Sequence, residues 1–201
     1  MTTNENEGQC ALVTGASAGI GQELARILAA NRFNLVLLAR SRDKLQALAN
    51  ELSAAHGVRT TIVPADLSEP GAAQAVFHAV RDAGTQIDLL VNNAGLLMEG
   101  RFNALDLDKQ LQLLQVNIVA MTAMTHLFLA PMLERKRGRI LNVASIASFM
   151  PVPNLAVYAA SKAYVRSFGD ALFQELSGSG ITVTTLCPGV TDTGMVQGTD
   201  L

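Results

Sequence analysis

The chain has 201 residues, 49% of them hydrophobic and 16% charged, enough for one globular domain with a sizeable core. A net charge of -2 and a pI near 5.9 leave no basic footprint, which argues against nucleic acid or an anionic membrane as partner. Residues 1–9 read as a polar tail without the apolar core of a signal peptide, and 10–201 as one domain.

Cys10 to Thr14 is a short apolar strand that runs into Thr14-Gly-Ala-Ser-Ala-Gly-Ile-Gly21. Glycines at 15, 19 and 21 permit tight turns and close ligand approach, and Gln22 to Ala30 reads as a helix. Strand, glycine turn and helix N-terminus make a phosphate-binding arrangement, because free N–H groups and the helix dipole face the anion. The spacing departs from G-x-G-x-x-G, so a glycine turn without a ligand stays open here.

Asn34 to Ala39 is a continuous apolar run, as expected for a strand buried on both faces of a parallel sheet. Its end, Ala39-Arg40-Ser41-Arg42, has no carboxylate where NAD-binding folds place one, and it carries a guanidinium. That favours NADP over NAD; the alternative for Arg40 is a solvated charge opening the next helix. Ser41 to His56 is helical, with Leu45, Leu48, Ala49 and Leu52 on one face.

Thr60 to Pro64 is a third strand, Ala72 to Ala83 a helix, and Ile87 to Val91 a fourth strand ending Asn92-Asn-Ala-Gly95. Strands alternating with amphipathic helices give a doubly wound α/β sheet, whose ligands gather at the strand C-terminal ends. Asp66 and Asn92 to Gly95 fall there as cofactor candidates. Asp66 also suits a helix cap, and Asn92-Asn93 a simple turn.

Asp106 to Arg137 reads as one long helix with Asn117 near its middle, as a buried hydrogen-bonding post or a functional group. The charge-free run from Gln110 to Leu133 could span a bilayer, but its polar load points to a buried helix of a soluble protein. Arg135, Lys136, Arg137 and Arg139 cluster at the helix end, where cations are favoured. Arg139 to Ala144 is a fifth strand that delivers Ser145. Val157 to Leu176 is a helix, and Ile181 to Cys187 a sixth strand ending Pro188-Gly189. Cys10 and Cys187 form no disulfide framework, which suits a reducing, cytoplasmic setting, and the three histidines show no metal-ligand spacing.

Tyr158 and Lys162 are i and i+4, one above the other on one helix face. An ammonium about 4 Å from the phenol at an effective dielectric near 20 is worth roughly 4 kcal/mol, or up to ~3 pKa units. That expectation brings the tyrosine towards neutral titration, with Ser145 to hold a substrate oxygen beside it. The alternative is a common spacing in which Tyr158 caps a core.

Taken together, T-G-x-x-x-G-x-G at Thr14–Gly21, Asn92-Asn-Ala-Gly95, Asn117, Ser145, Tyr158-x-x-x-Lys162 and Pro188-Gly189 resemble the short-chain dehydrogenase/reductase family. The resemblance implies a Rossmann fold with strand order 3-2-1-4-5-6 and hydride transfer between a nicotinamide cofactor and an alcohol or carbonyl. It implies Tyr158 as general acid/base and Lys162 as ribose ligand that lowers its pKa. Ser145 would hold the substrate oxygen and Asn117 a proton-relaying water. Gly15, Ser17, Ile20, Arg40, Asp66, Leu67 and Asn93 would line the adenine half of the cofactor site, and Gly19, Gly21, Ala94 and Gly95 would bind the cofactor as well. Val190 and Thr193 would hold the nicotinamide end, and Pro188 and Gly189 would also bind the cofactor. The resemblance further implies a dimer or tetramer through helices 106–137 and 157–176. Family members continue past the position of Leu201 with a lid, a helix and a seventh strand, so a C-terminally incomplete domain is expected. A small carbonyl or alcohol substrate follows, and Leu96, Leu97, Met98, Phe149, Met150 and Val152 suggest a hydrophobic one. A cofactor-binding sensor without turnover and a non-redox epimerase or dehydratase are the competing readings.

Overall fold

The computed structural model describes residues 6–189. Six strands form one parallel sheet: β1 (Cys10–Thr14), β2 (Asn34–Ala39), β3 (Thr60–Pro64), β4 (Leu89–Asn92), β5 (Gly138–Val143) and β6 (Ile181–Leu186). Their order is β3-β2-β1-β4-β5-β6, the doubly wound order expected. The helices are α1 (Gly19–Ala30), α2 (Arg42–His56), α3 (Ala72–Asp82), α4 (Leu107–Leu114), α5 (Met121–Arg135) and α6 (Ala156–Glu175).

The period of two along each strand divides the core between the two faces of the sheet. Leu12, Val36, Leu38, Leu90, Ile140 and Val183 point to one side and pack with Val76 and Val80 of α3 and Met124, Phe128 and Met132 of α5. Ala11, Val13, Leu35, Leu37 and Val91 point to the other and meet Ala25 and Ala29 of α1 and Leu45, Leu48 and Leu52 of α2. Each fully buried leucine is worth about 1.5–3 kcal/mol of transfer free energy. β1 is therefore buried at every position because it is covered on both faces.

Three boundaries differ informatively from the sequence reading. Helix α1 starts at Gly19, ahead of Gln22, because the glycine turn itself winds into the first helical turn. Strand β4 starts at Leu89, and Asp88 just ahead of it joins the far end of β1, its Oδ2 accepting from Cys10 N at 3.0 Å and its own N–H donating to Cys10 O at 2.8 Å. The long helix from 106 to 137 is not uniform. A π-helical segment, Gln115–Ala120, separates α4 from α5 and has Asn117 inside it. Helix Leu107–Arg135, taken through that segment, is long and apolar enough to cross a membrane. One side of it, with Leu113, Val116, Ala120, Met124 and Phe128, is buried within the protein.

Candidate active site

Strand order reverses between β1 and β4, and a cleft of about 700 Å³ opens there at the strand C-terminal ends. Thr14 ties the two strand ends together. Its Oγ1 donates to Val91 O at 3.1 Å and accepts from Asn93 N and Ala94 N, each at 2.9 Å. Asn93 Nδ2 returns a bond to Thr14 O at 2.9 Å. Gly15 adopts φ 68°, open to glycine at little cost. Gly21 is buried against the Gly15 carbonyl so closely that a Cβ there would collide with it.

This turn delivers the N-terminus of α1 to the cleft, and Ser17, Ala18, Gly19 and Ile20 line it. No side chain caps that terminus, and its first turn holds no acidic residue. Its N–H groups and positive dipole end are left for an anion from solution. A dinucleotide diphosphate fits that donor set, and the cleft extends from it in both directions.

On one side lie Arg40, Ser41, Lys44, Asp66 and Leu67. Asp66 Oδ1 accepts from Ser68 N at 2.9 Å and Ser68 Oγ at 2.7 Å. Burial pushes this carboxyl up, but the Ser68 bonds and the Arg40 charge together hold it below its usual range. Asp66 is thus both a turn residue and a wall of the cleft.

On the other side lie Ser145, Tyr158 and Lys162. Ser145 follows β5 in extended conformation and caps a short 3-10 helix, Ile146–Phe149, its Oγ accepting from Ala147 N at 3.2 Å. Tyr158 and Lys162 lie in the first two turns of α6. That helix sits close on β6, because Gly169 faces the Thr185 hydroxyl with no room for a Cβ. Lys162 is 5% exposed, its Nζ donating to Val143 O at 2.9 Å and lying 5.8 Å from the Tyr158 ring centroid.

The electrostatics correct the sequence expectation for Tyr158. Burial raises the phenol's pKa above its ordinary value, and the Ser145 hydroxyl bonded to it pulls only partly back. The shift expected from Lys162 is not what dominates. The ammonium is itself pushed down to about 8 by burial and spends a bond on the Val143 carbonyl. Desolvation wins over the i, i+4 spacing.

Asn117 is a post with every amide group engaged. Its Oδ1 accepts from Leu96 N at 2.8 Å, and its Nδ2 donates to Leu96 O and to Ser161 Oγ, each at 3.0 Å. Ser161 Oγ donates onward to Tyr158 O at 2.7 Å. A Cβ on Gly95 would stand 3.3 Å from Asn117 Oδ1 and 3.4 Å from Lys162 Nζ, so the bare glycine lets both groups approach one point.

The comparisons with known proteins agree with this architecture. The short chain dehydrogenase family model matches residues 9–200. The chain belongs to the short-chain dehydrogenase family. Hydroxysteroid dehydrogenase-like protein 1 of Gallus gallus is 38% identical over 193 residues, covering 94% of this chain and 58% of that protein. The very-long-chain 3-oxoacyl-CoA reductase of Anas platyrhynchos is 37% identical over 187 residues, covering 90% of this chain and 59% of that one. The chain thus spans under two thirds of the length of these curated relatives. A solved short-chain dehydrogenase from Sphingobium yanoikuyae, in complex with NADPH, superposes with a TM-score of 0.89 at 33% identity, covering 94% of this chain and 73% of that one.

Within this short-chain dehydrogenase domain the cleft gathers Gly15, Ser17, Gly19, Ile20, Arg40, Asp66, Leu67, Asn93, Ala94, Gly95, Ser145, Tyr158, Lys162, Pro188 and Gly189. Gly21 and Asn117 stand behind the wall instead, one packing the turn and the other bracing Leu96. Asn92 is also behind it: its Nδ2 donates to Thr125 Oγ1 and Asn142 Oδ1, each at 2.9 Å, in the core. Val190 and Thr193 lie outside the described residues. Of the apolar candidates, Leu96, Leu97, Met150 and Val152 line the cleft. Met98 packs against the cluster of Leu113, Leu155 and Tyr158 without lining the cleft itself, and Phe149 lies under the Arg166 guanidinium at 4.4 Å. Sequence reasoning missed Ser41, Lys44, Ile146, Ala147 and Leu155 as wall residues.

Proposed function

We propose that this chain transfers a hydride between NADP(H) and the carbon of a carbonyl or secondary alcohol on a neutral, largely apolar substrate. The observation that carries the reading is one cleft with Ser145, Tyr158 and Lys162 at one end and the uncapped α1 terminus and Arg40 towards the other. When bound, the nicotinamide supplies or accepts the hydride.

Tyr158 gives its phenolic proton to the substrate oxygen in reduction and takes it back in oxidation. Burial keeps the phenol protonated at neutral pH, which suits the reductive direction. Ser145 donates a hydrogen bond to the same oxygen. Lys162, charged below about pH 8, stabilises the phenolate left after proton transfer and bonds the nicotinamide ribose. The shared approach of Asn117 Oδ1 and Lys162 Nζ at Gly95 supports a proton path inward from the ammonium.

The substrate class rests on the wall beside Tyr158: Leu96, Leu97, Ile146, Ala147, Met150, Val152 and Leu155, with no carboxylate among them. A polyol or a 2-oxo acid would leave its polar groups unpaired there. Arg40 and the NADPH-bound relative support NADP as the preferred cofactor. Pairing of two copies is supported by Leu111, Val119, Tyr164 and Phe173, apolar side chains exposed on α4, the π segment and α6.

The test is NADPH-dependent reduction of a panel of bulky neutral ketones by the wild type and Tyr158→Phe. Turnover should fall at least ~100-fold in the variant while NADP⁺ binding is kept. Equal rates would remove Tyr158 from the mechanism.

A further inference from the structure

Gln110 is out of keeping with its surroundings. It is 5% exposed on α4, and with Met98, Phe102, Leu105, Ala156 and Val157 it lines a small, otherwise apolar cavity. Among the described residues its Oε1 has no hydrogen-bond partner. A methionine would suit that position better for stability alone, because a buried amide with an open acceptor is a cost to folding. A polar group kept in the core at such a cost points to another task.

The donor end of the amide shows what that task is. Gln110 Nε2 donates to Phe102 O at 3.3 Å and to Leu105 O at 3.2 Å, so one side chain grips both ends of the turn 102–105. Leu105 lies against Gly100, where φ is 146° and a Cβ would stand 2.9 Å from Leu105 Cδ2. Gly100 N then donates to Asn154 O at 2.9 Å. Asn154 belongs to the turn Val152-Pro153-Asn154-Leu155, closed by Leu155 N donating to Val152 O at 3.1 Å. Proline followed by a residue at φ 65° matches the type II pattern. Both ends of that turn, Val152 and Leu155, line the cleft beside Tyr158. Gln110 and Asn117 stand at i and i+7, two turns apart on one helix, and both clamp the backbone of the loop between β4 and α4. Asn117 holds the start of that loop and Gln110 its end.

We infer that Gln110 is a positioning residue for substrate selection. Through the turn 102–105 and the Gly100–Asn154 bond it fixes the Val152–Leu155 wall, against which a bulky group beside the reacting carbonyl packs. The inference rests on the reading of this cleft as a site of carbonyl reduction.

Gln110→Met keeps the volume and removes both donors, and Phe102 is exposed, so water can take its freed carbonyl. Hydrogen exchange of the Gly100 amide, and kcat and KM for benzophenone and cyclohexanone with NADPH, are measured on the wild type and this variant. Gly100 exchange should quicken about tenfold. KM for benzophenone should rise about fivefold to tenfold with kcat within a factor of two. Both constants for cyclohexanone, which is too small to reach the wall, and Kd for NADP⁺ should stay within a factor of two. Asn154→Gly loosens the same turn from its other side and should shift KM for benzophenone in the same direction. An amide with a purely structural role would affect the two ketones alike. Equal changes for both ketones in either variant, or unchanged Gly100 exchange in Gln110→Met, overturn the inference and leave hydride transfer intact. A wild type that reduces neither ketone overturns both.

Discussion

Asn117 clamps both backbone groups of Leu96, Oδ1 accepting from its N–H at 2.8 Å and Nδ2 donating to its C=O at 3.0 Å. An amide side chain here does what a neighbouring strand would do, and it holds the wall of the cleft against the π segment of a helix. Asn117→Ala leaves both half-buried Leu96 groups and the buried Ser161 Oγ short of a partner. The expected loss is about 2–4 kcal/mol of unfolding free energy, read from urea denaturation. Asn117→Asp should lose a similar amount, because the two donated bonds go while the accepted one stays. A variant as stable as the wild type would show that the clamp does not hold Leu96.

The buried ammonium sets a pH dependence of stability. The folded pKa of Lys162 is about 8, below its ordinary 10.5, so the unfolded chain binds more protons between those values. Stability contributed at this site therefore rises with pH through that window and is lowest below about pH 8. Lys162→Met removes the charge. Its Tm relative to wild type should be most favourable near neutral pH and should decline as pH rises towards 10.5. A pH-independent difference would place the ammonium in water.

Tyr158 has the opposite sign. Its folded pKa lies above the ordinary 10.0, so its contribution is complete below 10.0 and is lost as pH rises through the higher folded value. The chain has two tyrosines, so Tyr164→Phe isolates Tyr158 for titration by tyrosinate absorbance. The midpoint should exceed 10.0, and Ser145→Ala should raise it further by removing the hydrogen bond that lowers it. A midpoint below 10.0 would restore the lysine-dominated picture that the spacing alone suggests.

The seating of α6 on β6 is set by Gly169 and Thr185. Gly169→Ala drives a methyl into the Thr185 hydroxyl and should cost roughly 1–3 kcal/mol. Adding Thr185→Ala should recover more than half of that loss, because the collision is with the hydroxyl and not with backbone. Thermal melts of the two single variants and the double variant provide the cycle. No recovery would mean that the helix is held off by something else, and Tyr158 and Lys162 would not depend on this contact.

Much of the fold is legible along the chain because it is written in short-range patterns. Continuous apolar runs at Cys10–Thr14 and Asn34–Ala39 can be satisfied only by strands covered on both faces, and they alternate with helices of one apolar stripe. The glycine turn, Ser145 and the Tyr158–Lys162 pair follow from the same reading, since they fall at strand ends or at helical spacing. These are local constraints on φ, ψ and side-chain direction, and a sequence carries them by itself.

What only the tertiary structure decided is set by neighbours far away in the chain. Gly21, Asn92 and Asn117 read as site residues, yet they face Gly15, Asn142 and Leu96 behind the wall. Met98 and Phe149 pack beside the cleft without lining it, and Lys44 lines it. The Tyr158 pKa shows the physical reason most plainly. Spacing gives the distance along a helix between phenol and ammonium, but the size and sign of the shift depend on how much water the rest of the fold removes from each. Desolvation is a property of the assembled core, and no stretch of sequence holds it.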